Sequence, residues 1–211
     1  MSRIEKQNVK TDVLTRTVFI AISLTILPIL LSCERKTTGP EAIELLLNGQ
    51  VEGGFFHPAY WSQYVYPFSA RYEYELDWTQ AEYQSSSHAL MIRREGIGDP
   101  TAFACWSQEI DVETGSLTGK ELHFSAAVRL QNVSGEGIYL NAFADNSAGE
   151  TVASAVTQGT HTIAGWHAWT MYAVTSDPLP EDVCRLRIYL IMPGGVSGTV
   201  YFDDLSLTVE E

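Results

Sequence analysis

Three stretches of the chain alternate apolar and polar residues without a break, and they constrain its fold more than any other feature. RYEYELDW puts Tyr72, Tyr74, Leu76 and Trp78 on one side and Arg71, Glu73, Glu75 and Asp77 on the other. ELHFSAAVRL puts Leu122, Phe124, Ala126, Val128 and Leu130 on one side. CRLRIYLIM sets Leu186, Ile188 and Leu190 against Arg185, Arg187 and Tyr189. A period of two is the pattern of a strand with one buried face. VSGEG, DNSAGE, TSDPLP and MPGGVSG punctuate the interior as turns, and no segment shows the periodicity of an amphipathic helix. The fold class this predicts is all-β: two packed antiparallel sheets, a β-sandwich or jelly roll.

The N-terminus carries a different signal. Arg3, Lys6, Lys10 and Arg16 precede an apolar run from Val18 to Leu31 that is short for a membrane span, which is the layout of an export signal. The run ends in ILLSCERK, which resembles the lipobox of bacterial lipoprotein signal peptides. The resemblance implies cleavage before Cys33 and a lipid on its sulfur; the other reading is an ordinary signal or uncleaved anchor with an incidental cysteine. The expected organisation is a signal peptide over residues 1–32, a lipidated polar tether over 33–43 and one sandwich domain over 44–211. Glu34, rather than an aspartate, follows the cysteine. The expected location is therefore the bacterial cell envelope, with the outer membrane or cell surface preferred over the inner membrane.

Composition closes off several functions. The chain has 13 basic and 26 acidic residues, and 4 basic and 2 acidic ones fall in the first 33. The remainder carries a net charge of -15, so a nucleic-acid partner is excluded for want of a basic footprint. With Cys33 lipidated, Cys105 and Cys184 are left either to pair or to stand as two buried thiols. No CxxC or Cys/His cluster points to zinc. The histidines at 57, 88, 123, 161 and 167 lack HxH or HExxH spacing, and GxSxG does not occur.

The last strand, SGTVYFDDLSLTVEE, raises a specific question. Alternation sends Asp203 or Asp204 inward whichever face is buried, and a buried carboxylate is costly unless paired or metal-bound. One answer is that Arg93 or Arg94 neutralises one aspartate. Adjacent acids that point to opposite faces cannot flank a glycosidic bond, so no hydrolase pair is expected here and the chain reads as a non-enzyme.

LLLNGQVEGGF, SSSHALMIRREG, WSQEIDVETGSLTGKELHFSAAVRL, AGWHAWTMYAVT and SGTVYFDDLSL follow one another in an order that resembles family 4 and 9 carbohydrate-binding modules. Those are galactose-binding-domain-like jelly rolls, and the match covers Leu45 to Val209. Two departures stand out: Val51 replaces an aromatic residue, and the serine run Ser85 to Ser87 replaces a glycine. The resemblance implies a non-catalytic protein that holds a poly- or oligosaccharide in a groove with aromatic platforms. The candidate carbohydrate-binding residues are Trp61, Tyr64 and Tyr66 in the aromatic stretch FFHPAYWSQYVYPF, with Trp106, Trp166 and Arg129 elsewhere. Trp169 shares a strand face with Met171 and Ala173 and is expected in the core. The resemblance also implies a structural calcium ion (Ca2+) held by Glu52 and Asp203, with Asp204 as the alternative ligand. A second reading is a structural or adhesive envelope module of the same fold without a sugar site, whose partner is another envelope protein.

The expected lipid on Cys33 is checked by growing expressing cells on a labelled palmitate analogue. Label should enter the wild-type protein and be lost in Cys33→Ser; equal label in both discards the lipoprotein reading.

Overall fold

The computed structural model of the protein describes residues 42–85 and 87–210; Cys33 and the signal peptide lie outside them. Ten strands follow in order: β1 Ala42–Glu44, β2 Ser62–Tyr66, β3 Tyr74–Thr79, β4 Ala89–Arg94, β5 Phe103–Asp111, β6 Leu122–Asn146, β7 Thr151–Val156, β8 Ile163–Thr175, β9 Val183–Pro193 and β10 Gly198–Glu210. A 3-10 turn, Phe68–Tyr72, joins β2 to β3. All strand pairings are antiparallel.

Two sheets result. The first runs β3-β4-β10-β6-β8, with β1 added to the C-terminal half of β10. The second runs β2-β5-β9-β6-β7. Strand β6 belongs to both: residues 122–133 lie in the first sheet beside β10, and 139–146 lie in the second beside β9. It bends between them at Gly135 and Gly137, both at positive φ. A Cβ on Gly135 would stand 2.5 Å from the Gly195 carbonyl oxygen, and one on Gly137 would stand 2.4 Å from that of Ile163. Only glycine fits such a crossing.

The core lies between the sheets. Leu122, Phe124, Ala126, Val128 and Leu130 are completely buried, as are Leu186, Ile188 and Leu190, so the alternation of both segments is realised. Each large side chain so buried contributes roughly 1.5–3 kcal/mol over its exposed state. Polar groups that point inward are matched. Gln108 exchanges two bonds with the Leu47 backbone at 2.8 Å each, and the Trp106 indole N–H donates across the sandwich to the Met91 carbonyl at 3.1 Å.

Some expectations are corrected. Tyr72 ends the 3-10 turn and is exposed, so the inward face of that strand starts at Tyr74. Trp169, Met171 and Ala173 do share a face, but it is the outer face of the first sheet, where Trp169 packs on Ala89, Met91 and Tyr201. Cys105 and Cys184 are both free. Cys105 stands opposite Ile191, seven positions along β9 from Cys184, roughly 23 Å at strand rise. A disulfide needs its Cα atoms within about 7 Å.

The two aspartates sit in a β-bulge. Inward residues of β10 are Val200 and Phe202 before it and Leu205, Leu207 and Val209 after it, so the phase slips by one residue. Asp204 takes up the slip at φ 46°. Asp203 is fully buried beneath the 80–88 segment, which crosses the outer face of the first sheet. Its Oδ2 accepts the Gln84 and Ser85 backbone N–H groups at 2.8 Å each; its Oδ1 accepts the Asp204 N–H at 2.7 Å and the Ser85 hydroxyl at 3.2 Å. Glu52 is held in the same way: Oε1 accepts the N–H groups of Ser87 and His88 at 2.8 and 3.0 Å, and Oε2 accepts the Ser87 hydroxyl at 2.6 Å and meets His88 Nδ1 at 3.3 Å. Arg93 and Arg94 take no part; they pair with Glu75 and Glu73.

This donor set does not fit the expected calcium. Calcium needs six to eight oxygen lone pairs directed at it. Here each of the four carboxylate oxygens already faces two protein groups, and the N–H dipoles around them present positive ends that repel a cation. Asp204 lies on the far side of the bulge, half-buried, and no cluster of three or more His, Cys, Asp or Glu side chains among the described residues could hold a metal. Ser85 and Ser87 supply much of the compensation in this structure.

The titrations follow. Burial pushes the Asp203 carboxyl above its ordinary value, against the pull of the Ser85, Asp204 and Gln84 donors. At Glu52 burial also pushes upward, but the bonds from Ser87 and His88 overcome it and hold the carboxyl at about 2, below its ordinary 4.5. The Glu52 contribution is therefore complete above about pH 4.5, declines below it and is gone near pH 2. Calcium and excess chelator should give the same melting temperature. Asp203→Asn, which turns an NH2 group toward two N–H donors, should lower it by on the order of 5 °C. Glu52→Gln should flatten the fall in stability between pH 4.5 and 2. A calcium-dependent rise in melting temperature that Glu52→Ala abolishes would reinstate the metal.

Candidate functional site

The outer face of the second sheet carries the groove. Because Leu140, Ala142 and Ala144 of β6 and Leu186, Ile188 and Leu190 of β9 point into the core, Asn141, Phe143 and Asp145 and Arg187, Tyr189 and Ile191 point outward. On β5 the outward residues are Phe103, Ser107 and Glu109, and on β2 they are Ser62, Tyr64 and Tyr66. These side chains, Tyr66 and Asp145 apart, line a groove of about 530 Å³ that crosses the strands from β6 to β2. That volume lies within the range of small-molecule sites.

Its walls are aromatic. Tyr66 stacks on Phe103 with centroids 5.7 Å apart and planes within 27°; Tyr64 tilts against the same ring at 5.9 Å. At the other end Phe143 and Tyr189 stand 6.0 Å apart. Arg187 lies between these ends and the rim, its guanidinium 5.7 Å from the Phe143 ring and 5.9 Å from that of Tyr189. Its Nε and one terminal nitrogen form a fork on Asp145, the second of these bonds at 2.9 Å, and that nitrogen also donates to Thr151 at 3.1 Å. The Asp145 carboxyl is lowered chiefly by the Arg187 bond, and the guanidinium is raised by the same bond. The pair is fixed in place and ionised.

The floor holds an unpaired polar atom. Asn141 is 5 % exposed, and its Oδ1 has no hydrogen-bond partner. Leaving a buried acceptor unmatched costs about 1–3 kcal/mol. Asn141 lines the groove, with its Oδ1 closed off from solvent.

The residues expected from the sequence divide. Tyr64 is half exposed and lines the groove; Tyr66, also half exposed, stacks on the Phe103 ring beside it. Trp61 and Trp106 do not: they are 5 % and 1 % exposed, and their indole N–H groups donate to the Asn48 and Met91 carbonyls. Both are core residues with no ring face free for a ligand. Trp166 is exposed, but it lies on β8, at the edge of the first sheet. Arg129 also lies on the first sheet, bonded to Glu82 at 3.1 Å under the 80–88 segment. The 55–68 stretch is split between surface and core: Phe55, Phe56, Tyr60 and Phe68 are exposed, and Trp61 turns inward.

Sequence reasoning reads Arg187 as an outward arginine that could bond sugar hydroxyls or simply face solvent, names Tyr189 only as an outward residue of the same strand, and passes over Phe103, Asn141 and Phe143. The signal for the last two was present. YLNAFADN alternates Leu140, Ala142 and Ala144 with Asn141, Phe143 and Asp145, but small alanines make a weak apolar stripe.

No protein-family model matches the sequence, and no curated protein matches it. Solved structures do share the fold. The enzymatically active domain of tailspike protein 4 from bacteriophage CBA120 superposes with a TM-score of 0.59 at 16% identity, over 79% of this chain and 21% of that one. A cyclase from Fischerella sp. TAU gives 0.58 at 16% identity, over 81% and 98% of the two chains. A family 4 carbohydrate-binding module, CBM4, gives 0.50 at 16% identity, over 78% and 99%. This chain thus spans about a fifth of the tailspike chain and nearly all of the other two. At such identities the likeness is one of fold, and the chain is an all-β jelly-roll sandwich of the architecture that a carbohydrate-binding module also adopts.

Proposed function

We propose that this protein is a non-catalytic glycan-binding lipoprotein, anchored through Cys33 to the bacterial envelope, and that it holds a poly- or oligosaccharide across the outer face of the second sheet. The observation that carries the reading is the groove itself, walled by rings at both ends. A sugar presents C–H faces that pack on aromatic rings and hydroxyls that bond the polar side chains between them; few other neutral ligands present both along their length. The Tyr66–Phe103 stack and the Phe143–Tyr189 pair supply two platforms separated by the β5–β9 width of the sheet. The fork on Asp145 leaves one terminal nitrogen of Arg187, which donates to the Tyr189 hydroxyl at 3.4 Å and has a second N–H to offer a sugar hydroxyl.

The acids of the groove support binding rather than cleavage. Hydrolysis of a glycosidic bond uses two carboxyls, one of them held protonated. Asp145 is locked ionised by Arg187, which leaves Glu109 without a second acid in the groove. The name of the CBM4 neighbour is in keeping with this reading.

Isothermal titration against soluble xylan, mixed-linkage β-glucan and other neutral polysaccharides tests the proposal. Phe103→Ala and Tyr189→Ala should each weaken the best ligand by about tenfold, in line with the ~1–3 kcal/mol of a stacking ring. Trp166→Ala should leave affinity unchanged. If Phe103→Ala and Tyr189→Ala bind like wild type, the groove is not the site.

A further inference from the structure

The groove does not end at Tyr64. Gln63 and Tyr64 also form one wall of a second, larger cleft of about 690 Å³, which lies between the edge strands β2 and β3 and is closed by the 3-10 turn. The Gln63 amide bridges its floor, donating to the Leu76 carbonyl at 3.2 Å. The turn carries a pile of three flat groups: the Arg71 guanidinium sits 4.3 Å from the centre of the Phe68 ring and 4.4 Å from that of Tyr72. Phe68 is 70 % and Tyr72 82 % exposed. Rings this open on the surface of a chain with net charge -13 are costly to leave in water, and their stacking holds them as a rigid shelf.

We propose that this second cleft is a further glycan subsite that takes the continuation of the chain held in the first groove. The ligand class is accordingly a neutral polysaccharide long enough to cross the β2 edge. The inference rests on the reading of the first groove as a sugar site. Continuity carries it: Gln63 and Tyr64 line both clefts, so a linear chain that leaves the Tyr64–Phe103 platform meets the Phe68–Arg71–Tyr72 shelf next. Neutrality follows from the charges. The one cation of the shelf is sandwiched between rings, the neighbouring Glu75 is acidic, and the whole surface repels polyanions. The first groove crosses four strands, three spacings or roughly 14 Å, which seats a short oligosaccharide. A longer chain must therefore have somewhere further to go.

The test compares di-, tetra- and octasaccharides of the xylan and mixed-linkage glucan series by titration calorimetry on the mature full-length protein, with light scattering in parallel. The octasaccharide should bind about tenfold tighter than the tetrasaccharide. Phe68→Ala and Tyr72→Ala should each remove that advantage and leave tetrasaccharide affinity as it was. Unchanged melting temperatures will show that both variants are folded. Equal affinity for the two lengths, or variants that keep the wild-type preference, overturns the second subsite and leaves the first groove standing. Preference for a polyuronate over the neutral chains overturns the ligand class. A change of oligomeric state in Phe68→Ala without a change in length preference shows that the shelf is a self-association surface and overturns the subsite. Binding of no length at all overturns the glycan reading of the first groove, and this inference falls with it.

Discussion

The fold depends on one strand that serves two sheets. β6 runs for 25 residues, pairs with β10 and β8 in its first half and with β9 and β7 in its second, and so ties the registers of both layers together. A slip of one residue along it would turn Phe124, Val128 and Leu140 outward together. The two glycines at its bend let the chain pass the Gly195 and Ile163 carbonyls at distances that no side chain tolerates. Core and groove are therefore two faces of the same constraint: Leu140, Ala142 and Ala144 inside fix Asn141, Phe143 and Asp145 outside. Asn141 cannot turn away to find a partner without taking its neighbours out of the core, which is how an unmatched acceptor persists at the groove floor.

A second constraint closes the opposite face. The bulge in β10 leaves Asp203 on the outer side of the first sheet, where it would be solvated but for the 80–88 segment laid over it. Burial of an ionisable group is tolerable when its lone pairs are matched, and here backbone amides do the matching. Amides and a calcium ion are alternative answers to the same electrostatic problem, and here amides occupy lone pairs of both acids. Ser85 and Ser87 add hydroxyl donors to the backbone N–H groups, and together these saturate both acids.

What the sequence made legible was whatever period two controls locally. Phe124, Val128, Ile188 and Leu190 are buried because alternation within ten residues decides them. β2 escaped because its five residues follow two aromatic clusters and precede Pro67, and its face is polar and aromatic rather than apolar. β8 misled because an edge strand is wet on both sides; Trp169, Met171 and Ala173 share a face as read, yet alternation does not say which face is inside. The tryptophans misled in a different way. Large rings suit a sugar platform and a core equally well, and only the burial of Trp61 and Trp106 and their bonds to carbonyls distant in sequence settle which they serve. The compensation of Asp203 comes from residues 118 and 119 positions away, beyond the reach of any local pattern.

The placement of the exposed rings follows from connectivity. β2 ends the second sheet and β3 ends the first, and only residues 67–73 separate them in the chain. So short a link keeps the two free edges side by side on one flank of the sandwich, and the residues that make it must lie on the surface. Edge strands expose unpaired backbone groups that invite aggregation unless they are blunted. β3 carries Glu75 and Asp77 toward solvent, and β2 is only five residues long and stops at Pro67, so the flank is protected as an edge while remaining open as a surface. Tyr64, Phe68 and Tyr72 thus line a flank that the topology leaves uncovered. Their exposure, which contributes nothing to folding, becomes intelligible as recognition: the same short connection that prevents the edges from separating also holds Tyr64 and the Phe68–Arg71–Tyr72 shelf at a fixed spacing along the path a linear ligand would follow.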